Sequence, residues 1–451
     1  MRPKRAEHGE PDDLFRARLS QQLDLGHPLV RLAGLIDWEG LESAFGPLYH
    51  ERAGRPGKPT RLMVGLTYLK HTYNLSDEGV CERWVENPYW QFFCGFDYLQ
   101  HQLPIDPSSL TRWRERIGTA GMERLLAATV EAALAAGAVK PASLERVTVD
   151  TTVQPKAIAH PLDSRLYNRG REILVRLAAR HGLQLRQSYR RLAKRALRLA
   201  SRYAHARQMR RARREIKRLE VFLGRVARDV ARKLAQRPDL APRFERPLAL
   251  VGRLLAQQKT DRAKLYALHA PEVECLAKGK AHKRYEFGVK VSVAATNREG
   301  LVVGMLALPG NPYDGHTLAP ALAQVERLTG VAVARSYVDR GYRGHRLSER
   351  RVLIAGQRRG LTPTMRRELK RRSAIEPVIG HMKNDGRLGR NFLAGRIGDA
   401  VNALLCGAGY NLRLILNYLA ELLRALFLLL INPADGKVSL KSPEGGFFRA
   451  D

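Results

Sequence analysis

A chain of 451 residues is too long for one ordinary core, so two or three domains are expected. Apolar residues at 44% exclude global disorder, and 78 Lys plus Arg against 44 Asp plus Glu, a net charge of +34, exclude a surface at ease without a polyanion beside it. Nucleic acid is the first candidate for that neighbour and an anionic membrane surface the second.

The N-terminal MRPKRAEHGEPDD is charged and holds no apolar stretch, so no secretory signal is expected. From about residue 14 to 139 the pattern is helical. Leu62, Leu66, Leu69 and Tyr73 recur at helical spacing, and Ser76 is placed to cap a second helix running towards Glu86. Further helices are expected from Pro107-Ser108 and from Met122 to Ala136. A basic helix, a short turn and a capped helix suit a helix-turn-helix DNA reader, and equally a plain helical bundle.

The period changes at Leu144. LERVTVDTTV alternates with period two and is rich in Val and Thr, a strand with Asp150 at its end. Strands resume at Tyr285–Thr296 and Leu301–Leu308, with Asn297–Gly300 as the hairpin turn. A fourth over Ala332–Val338 ends at Asp339, and a fifth is expected over Arg351–Ala355. The fold class is therefore α+β or α/β, one mixed five-stranded sheet interrupted after its first strand.

The interruption reads as helical and basic. Between Arg186 and Glu220 fourteen Lys or Arg face two acids, Glu215 and Glu220. Leu192, Ala196, Leu199, Tyr203 and Ala206 form one expected apolar stripe, and Ile216, Leu219, Leu223, Val226 and Val230 a second. Two acids cannot pair fourteen bases, so Arg190, Arg191, Arg195, Arg210, Arg211 and Arg214 are expected to be exposed. Such a face contacts a DNA backbone or is simply solvated, and the first is preferred. From Pro363 to about Ile431 the chain is helical again. The apolar run from Leu404 to Ile431 carries Asn411, Arg413, Asn417, Glu421 and Arg424, too many polar groups for hydrocarbon, so no membrane partner is expected. Cys81, Cys94, Cys275 and Cys406 are scattered, which favours reduced core thiols and a cytoplasmic chain.

Three carboxylates stand out. Asp150 and Asp339 end strands, and Glu376 follows on a helix 37 residues after Asp339. Carboxylates at strand ends of one sheet converge on one rim, where they repel one another unless cations intervene. Two Mg²⁺ ions about 4 Å apart would relieve that and would serve in-line phosphoryl displacement. Each carboxylate also has a plain reading: Asp150 as a turn cap in DTT, Asp339 as the Asp of a Gly-containing turn in VDRGYRG, and Glu376 as the partner of Ser373 in a capping box. Arg372 and Lys383 lie one turn before and two turns after Glu376, as phosphate clamps or as a surface ladder. Ile375, Ile379 and Met382 are the expected core side, and Arg387 and Arg390 follow in a loop. Asp314, in GNPYDGHT, is a turn residue or a supporting carboxylate. His282, His316, His345 and His381 lack zinc-site spacing, and there is no ATP-binding GxxxxGKS loop.

This order of motifs resembles the Asp-Asp-Glu (DDE) transposases of bacterial insertion sequences, in the superfamily that holds RNase H and retroviral integrases. It looks closest to the group named after insertion sequence five. The likeness runs in order through GRPGKPTRLMVGLTYLKHTYNLSDE, PYWQFFCG, VDTT, FGVKVSV, GNPYDGHTL, DRGYRG, IEPVIGHMKND and GDAVNALLCGAGYNLRLIL, from about Leu14 to Leu430. One position departs: where relatives often carry a tyrosine three residues before the arginine, Leu369 stands here.

The resemblance implies an RNase H-like catalytic domain over 141–164 and 276–431, a helical DNA-binding domain over 1–140, a basic insertion over 165–275 and a flexible tail over 432–451. It makes Asp150, Asp339 and Glu376 ligands of two Mg²⁺ or Mn²⁺ ions, converging on one site and held wider without metal. It places Arg372, Lys383, Arg343, Arg387 and Arg390 near DNA. The implied partners are element terminal inverted repeats and target DNA, bound by a homodimer in the bacterial cytoplasm at the nucleoid. The rival readings are a metal-dependent nuclease or resolvase that does not join strands, an inactive remnant, and a DNA-binding regulator.

Overall fold

The computed structural model describes residues 17–49, 57–277 and 284–431. The tail over 432–451 and the segment read for a secretory signal lie outside them, as does His282. The chain divides into two units, one of Met1–Pro155 with Lys290–Asp451 and one of Lys156–Val289.

The first unit opens with helices α1 (Leu19–Gln22), α2 (Pro28–Leu35), α3 (Trp38–Phe45), α4 (Thr60–Thr72), α5 (Asp77–Glu86), α6 (Pro88–Phe93) and α7 (Ser108–Ala135). Short polar side chains start several of them. Asp37, Ser76 and Asn87 accept from the backbone N–H groups of Gly40, Gly79 and Trp90, which otherwise lack partners at a helix start. The stretch from Ser108 to Ala135 is two helices joined at Gly118, whose φ of +58 an L side chain would resist.

Helix α4 is buried on every side from Leu62 to Thr72, including Lys70 and His71. Lys70 Nζ lies 2.6 Å from Asp77, which also takes Arg114 at 2.7 Å. Helix α5 turns Glu78, Glu82 and Glu86 outward beside Arg83. Helix α4 is thus enclosed by its neighbours, while α5 presents three carboxylates and one arginine on its free face.

Six strands make one mixed sheet: β1 (Arg146–Pro155), β2 (Glu274–Ala277), β3 (Tyr285–Thr296), β4 (Val302–Leu308), β5 (Arg335–Val338) and β6 (Arg351–Ile354), in the order β2-β3-β1-β5-β6 with β4 on β3. The expected five strands omitted β2, whose ECLA holds no β-branched or aromatic residue to mark it. Strand β1 pairs parallel with β5, and β5 with β6. Strands β3 and β4 form the expected hairpin. Asp150 corrects its sequence reading: it stands inside a ten-residue strand that runs on to Pro155, not at its end.

Helix α12 (Asp314–Thr329) links β4 to β5. After β6 come α13 (Pro363–Lys370), a 3-10 turn over Arg371–Ala374, α14 (Ile375–Asn384) and α15 (Gly395–Ile431). Helix α15, the most apolar segment, packs against α7, α4 and β4. Its polar groups have protein partners: Asn411 holds the N–H and C=O of Val302 at 2.8 and 2.7 Å, and Arg413 donates to the carbonyls of His71 and Thr72. Among the described residues no helix is long and apolar enough to cross a membrane. The four cysteines are free, and burial pushes the Cys81, Cys94 and Cys406 thiols up to about 12.

The second unit holds α8 (Asp163–Arg180), α9 (Arg190–His205), α10 (Met209–Leu234) and α11 (Ala241–Ala256), then β2 and the start of β3. It is thus helical apart from that strand pair, where β2 runs antiparallel to Tyr285–Gly288. Leu219, Leu223, Val226 and Val230 are buried as their spacing predicts, each worth roughly 1.5–3 kcal/mol. The α9 stripe is offset from the expectation. Ala193, Ala196 and Ala200 face inward while Leu192 is 46% exposed, because alanines let two helices approach more closely than leucines would. Ala196 is the one residue common to both stripes.

Candidate active site

Strand β1 and strand β5 pair with Arg146 opposite Arg335 and Thr148 opposite Tyr337. Continued by two residues, that register sets Asp150 level with Asp339 on the same face. Asp339 directly follows β5 and caps a 3-10 turn, its Oδ1 accepting from Gly341 N at 2.9 Å. Asp150 Oδ1 accepts from Thr151 N at 2.7 Å. Both carboxylates are thereby aimed by backbone, which leaves little rotamer freedom.

A third aspartate joins them from the first turn of α12. Asp314 Oδ1 accepts from Thr151 Oγ1 at 3.0 Å and from Lys290 Nζ at 3.1 Å. Gly341 lies between Asp314 and Asp339: a Cβ there would stand 3.0 Å from Asp339 Oδ1 and 3.2 Å from Asp314 Oδ2. Tyr342 is fully buried beside these groups. Burial raises its pKa far above the usual tyrosine value, and the charges of Asp150, Asp314 and Asp339 add to that rise.

Glu376 arrives on α14, whose buried side is Ile375, Val378 and Met382, with Ile379 only half-buried. The expected capping box does not form: Ser373 Oγ donates to the Lys370 carbonyl, and Ala374 occupies the cap position. Glu376 is therefore not tied down by its own helix start, and its side chain is 67% exposed. Arg372 joins it to the strands, 3.5 Å from Glu376 and 3.8 Å from Asp150.

Carboxylate oxygens alone make a donor set for a hard divalent cation. Among the described residues no three His, Cys, Asp or Glu side chains stand close enough to share an ion. The Arg372 guanidinium instead balances Asp150 and Glu376. The donors fit such a cation in kind, provided that the Arg372 pairing opens.

Residues 17–116 match the family described as Transposase domain (DUF772), and residues 264–412 the family described as Transposase DDE domain. A relative from Rhizobium meliloti, described as "Uncharacterized protein ORF8 in nfe locus", is 62% identical over 208 residues, which is 46% of this chain and all of that protein. The chain belongs to the DDE transposases of the insertion-sequence type. No solved structure matches it. The family makes it a nuclease and transferase that acts on DNA and generally works with divalent metal ions.

In this transposase the residues expected near DNA differ in how they are held. Arg190, Arg191, Arg195, Arg210, Arg211 and Arg214 are all exposed. The two acids of their segment are taken elsewhere, Glu215 by Arg218 at 3.0 Å and Glu220 by Lys217 at 2.6 Å. Arg343 and Arg390 are exposed, Arg390 beside the Phe392 ring, and Lys383 is half-buried. Arg387 turns inward to the Leu75 carbonyl, and burial lowers its pKa, so it is held as a strut of the fold. Arg372 faces carboxylates rather than solvent. Sequence reasoning passed over Lys290, Thr151 and Tyr342. The first carried a signal, a lone lysine inside the apolar alternation FGVKVSV.

Proposed function

We propose that this transposase cleaves DNA at the ends of its element and joins the freed 3′ ends to target DNA, with Asp150, Asp339 and Glu376 as its catalytic carboxylates. The observation that supports this reading most is the β1–β5 register, which brings Asp150 level with Asp339 although 189 positions separate them in the chain. Bound at these carboxylates, Mg²⁺ or Mn²⁺, as two ions, would activate the attacking oxygen and stabilise the leaving one.

The chain's own residues prepare that site. Gly341 N–H and Thr151 N–H orient the Asp339 and Asp150 carboxylates before any substrate arrives. Lys290 and Thr151 brace Asp314 behind them, which keeps a third negative charge near the pair at little cost. Arg372, released from Asp150 and Glu376, pairs with a phosphate oxygen, with Lys383 two turns beyond Glu376 on α14. The arginines of α9 and α10, with Arg343 and Arg390, neutralise backbone phosphates and carry no sequence information. Two copies of the chain hold the two inverted repeats.

The test is incubation of the full chain with supercoiled DNA carrying the element ends, with and without Mg²⁺. Metal-dependent joined products that vanish on Asp150→Asn, Asp339→Asn or Glu376→Gln are expected. Cleavage without joining would make the chain a nuclease, and binding without cleavage a regulator or a remnant.

A further inference from the structure

A cavity of about 320 Å³ opens at the other end of the β1–β5 register, lined by Lys140, Arg146, Arg298, Arg367 and Arg371 with Glu368. We propose that this cavity is a second seat for DNA, one that takes the sugar-phosphate backbone. The proposal rests on the reading of the chain as a transposase acting on DNA.

Three observations carry it. The first is charge: half of the ten lining residues are basic, whereas Lys and Arg make up 78 of 451 in the chain. Glu368 is the single acid in the lining. Glu368 accepts from the Tyr337 hydroxyl and lies 3.2 Å from Arg335, a base outside the lining, as well as 3.7 Å from Arg146. Ser143 and Thr364 add hydroxyls, so the wall offers donors suited to an oxyanion.

The second is a buried donor. Arg146 Nε is shut off from solvent with no hydrogen-bond partner among the described residues. A buried donor left unmet costs about 1–3 kcal/mol, and the rest of the Arg146 side chain is 39% exposed and holds Glu368 only at 3.7 Å, a long pairing that an anion in the cavity would supplement.

The third is position. Arg146, Thr148 and Asp150 alternate along one face of β1, so Arg146 is about 13 Å from Asp150 at strand rise. That span is roughly four nucleotides along a DNA strand. Arg371 lines the cavity, and its neighbour on the same 3-10 turn, Arg372, touches Asp150. By length one strand spans both places, its scissile phosphate at the carboxylates and its flank in the cavity. This distinguishes the cavity from the hairpin arginines, which lie on the second unit.

The test uses the full chain carrying Asp339→Asn, so that no cleavage intervenes, and a random-sequence duplex. The dependence of log K on log salt is compared with that of a variant in which Arg298, Arg367 and Arg371 are glutamine. At about −0.9 per neutralised phosphate, the slope is expected to flatten by roughly one to two units and to recover with lysine at the same positions. An unchanged slope at an unchanged melting temperature overturns the proposal. Should the triple variant melt early, Arg367→Gln on the exposed side of α13 replaces it; a flattening of up to about one unit is expected and no flattening overturns the proposal. Inorganic phosphate is the competing occupant. If it binds the parent and not the variant while their duplex slopes agree, the cavity takes a free anion and the proposal falls. Failure of the transposase reading would look different, as a parent chain that never cleaves while this slope still differs.

Discussion

At the carboxylate end of the sheet Asp150, Asp314 and Asp339 are each fixed by a named donor, whereas between Arg186 and Glu220 fourteen bases meet two acids already taken by Lys217 and Arg218. The two regions use charge differently. In the first, backbone N–H groups and Lys290 set where each oxygen points, so a displacement of a few tenths of an ångström matters. In the second, helix periodicity only turns the guanidinium groups outward, so what matters is how many there are. Changes at the first should therefore act through geometry, and changes at the second through sums.

The largest expected effect breaks the first region. Asp339→Asn should lower Mg²⁺-dependent cleavage by at least about a thousandfold, some 4 kcal/mol of barrier, while DNA affinity stays equal or tightens. Gel assays of cleavage and titration of duplex binding check both halves. Equal cleavage by parent and variant would move the site elsewhere.

Next comes the hairpin. Replacing Arg190, Arg191, Arg210 and Arg211 by glutamine should flatten the salt slope of DNA binding by up to three or four units, at about 0.9 per phosphate. Specific and random duplexes should weaken alike, and any two of the four should give about half the change. A slope that does not move would make this a solvated face. A single arginine that carried the whole effect would instead give the hairpin the fixed geometry ascribed to the carboxylates.

Gly341→Ala sharpens the contrast, because it adds one methyl and no charge. The new Cβ would press on Asp339 Oδ1 and Asp314 Oδ2 at 3.0 and 3.2 Å. A tenfold to hundredfold loss of cleavage is expected, with the melting temperature and the salt slope unchanged. Parental cleavage would show that the carboxylates tolerate displacement.

The smallest effect concerns a fixed charge away from both regions. Burial first, and then the Arg114 guanidinium, push Lys70 down to about 8. Between pH 8 and 10 the unfolded chain holds the Lys70 proton and the folded chain does not, so stability should rise with pH by up to about 1.4 kcal/mol per unit. Below pH 8 both states are protonated and the penalty is fully present. Denaturant melts of Lys70→Met across that range should lack the rise, and an equal rise in both proteins would contradict the assignment.

Much of this was legible in the residues. Period-two runs marked β1, β3 and β4, and Ser76 and Pro363 marked helix starts, because caps and alternation are local properties. Strand β2 was not legible, since ECLA holds no β-branched or aromatic residue and its pairing with Tyr285–Gly288 is a matter of register. Nor was the inward face of α9, where Leu192 and Ala193 compete as neighbours and only the space available against α10 decides between them.

For the site, the sequence by itself determined which carboxylates stand beside strands and helix starts, and the resemblance named three of them. Nothing local says that Asp150 stands level with Asp339, that Thr151 braces Asp314, or that Arg372 answers Asp150. Those facts depend on the parallel pairing of β1 with β5 and on the packing of α12 and α14, contacts between segments well over a hundred residues apart. Charge count and helix period are sums over neighbours in the chain, so the sequence carries them whole. Which charge meets which is a property of neighbours in space, and only the tertiary structure decides it.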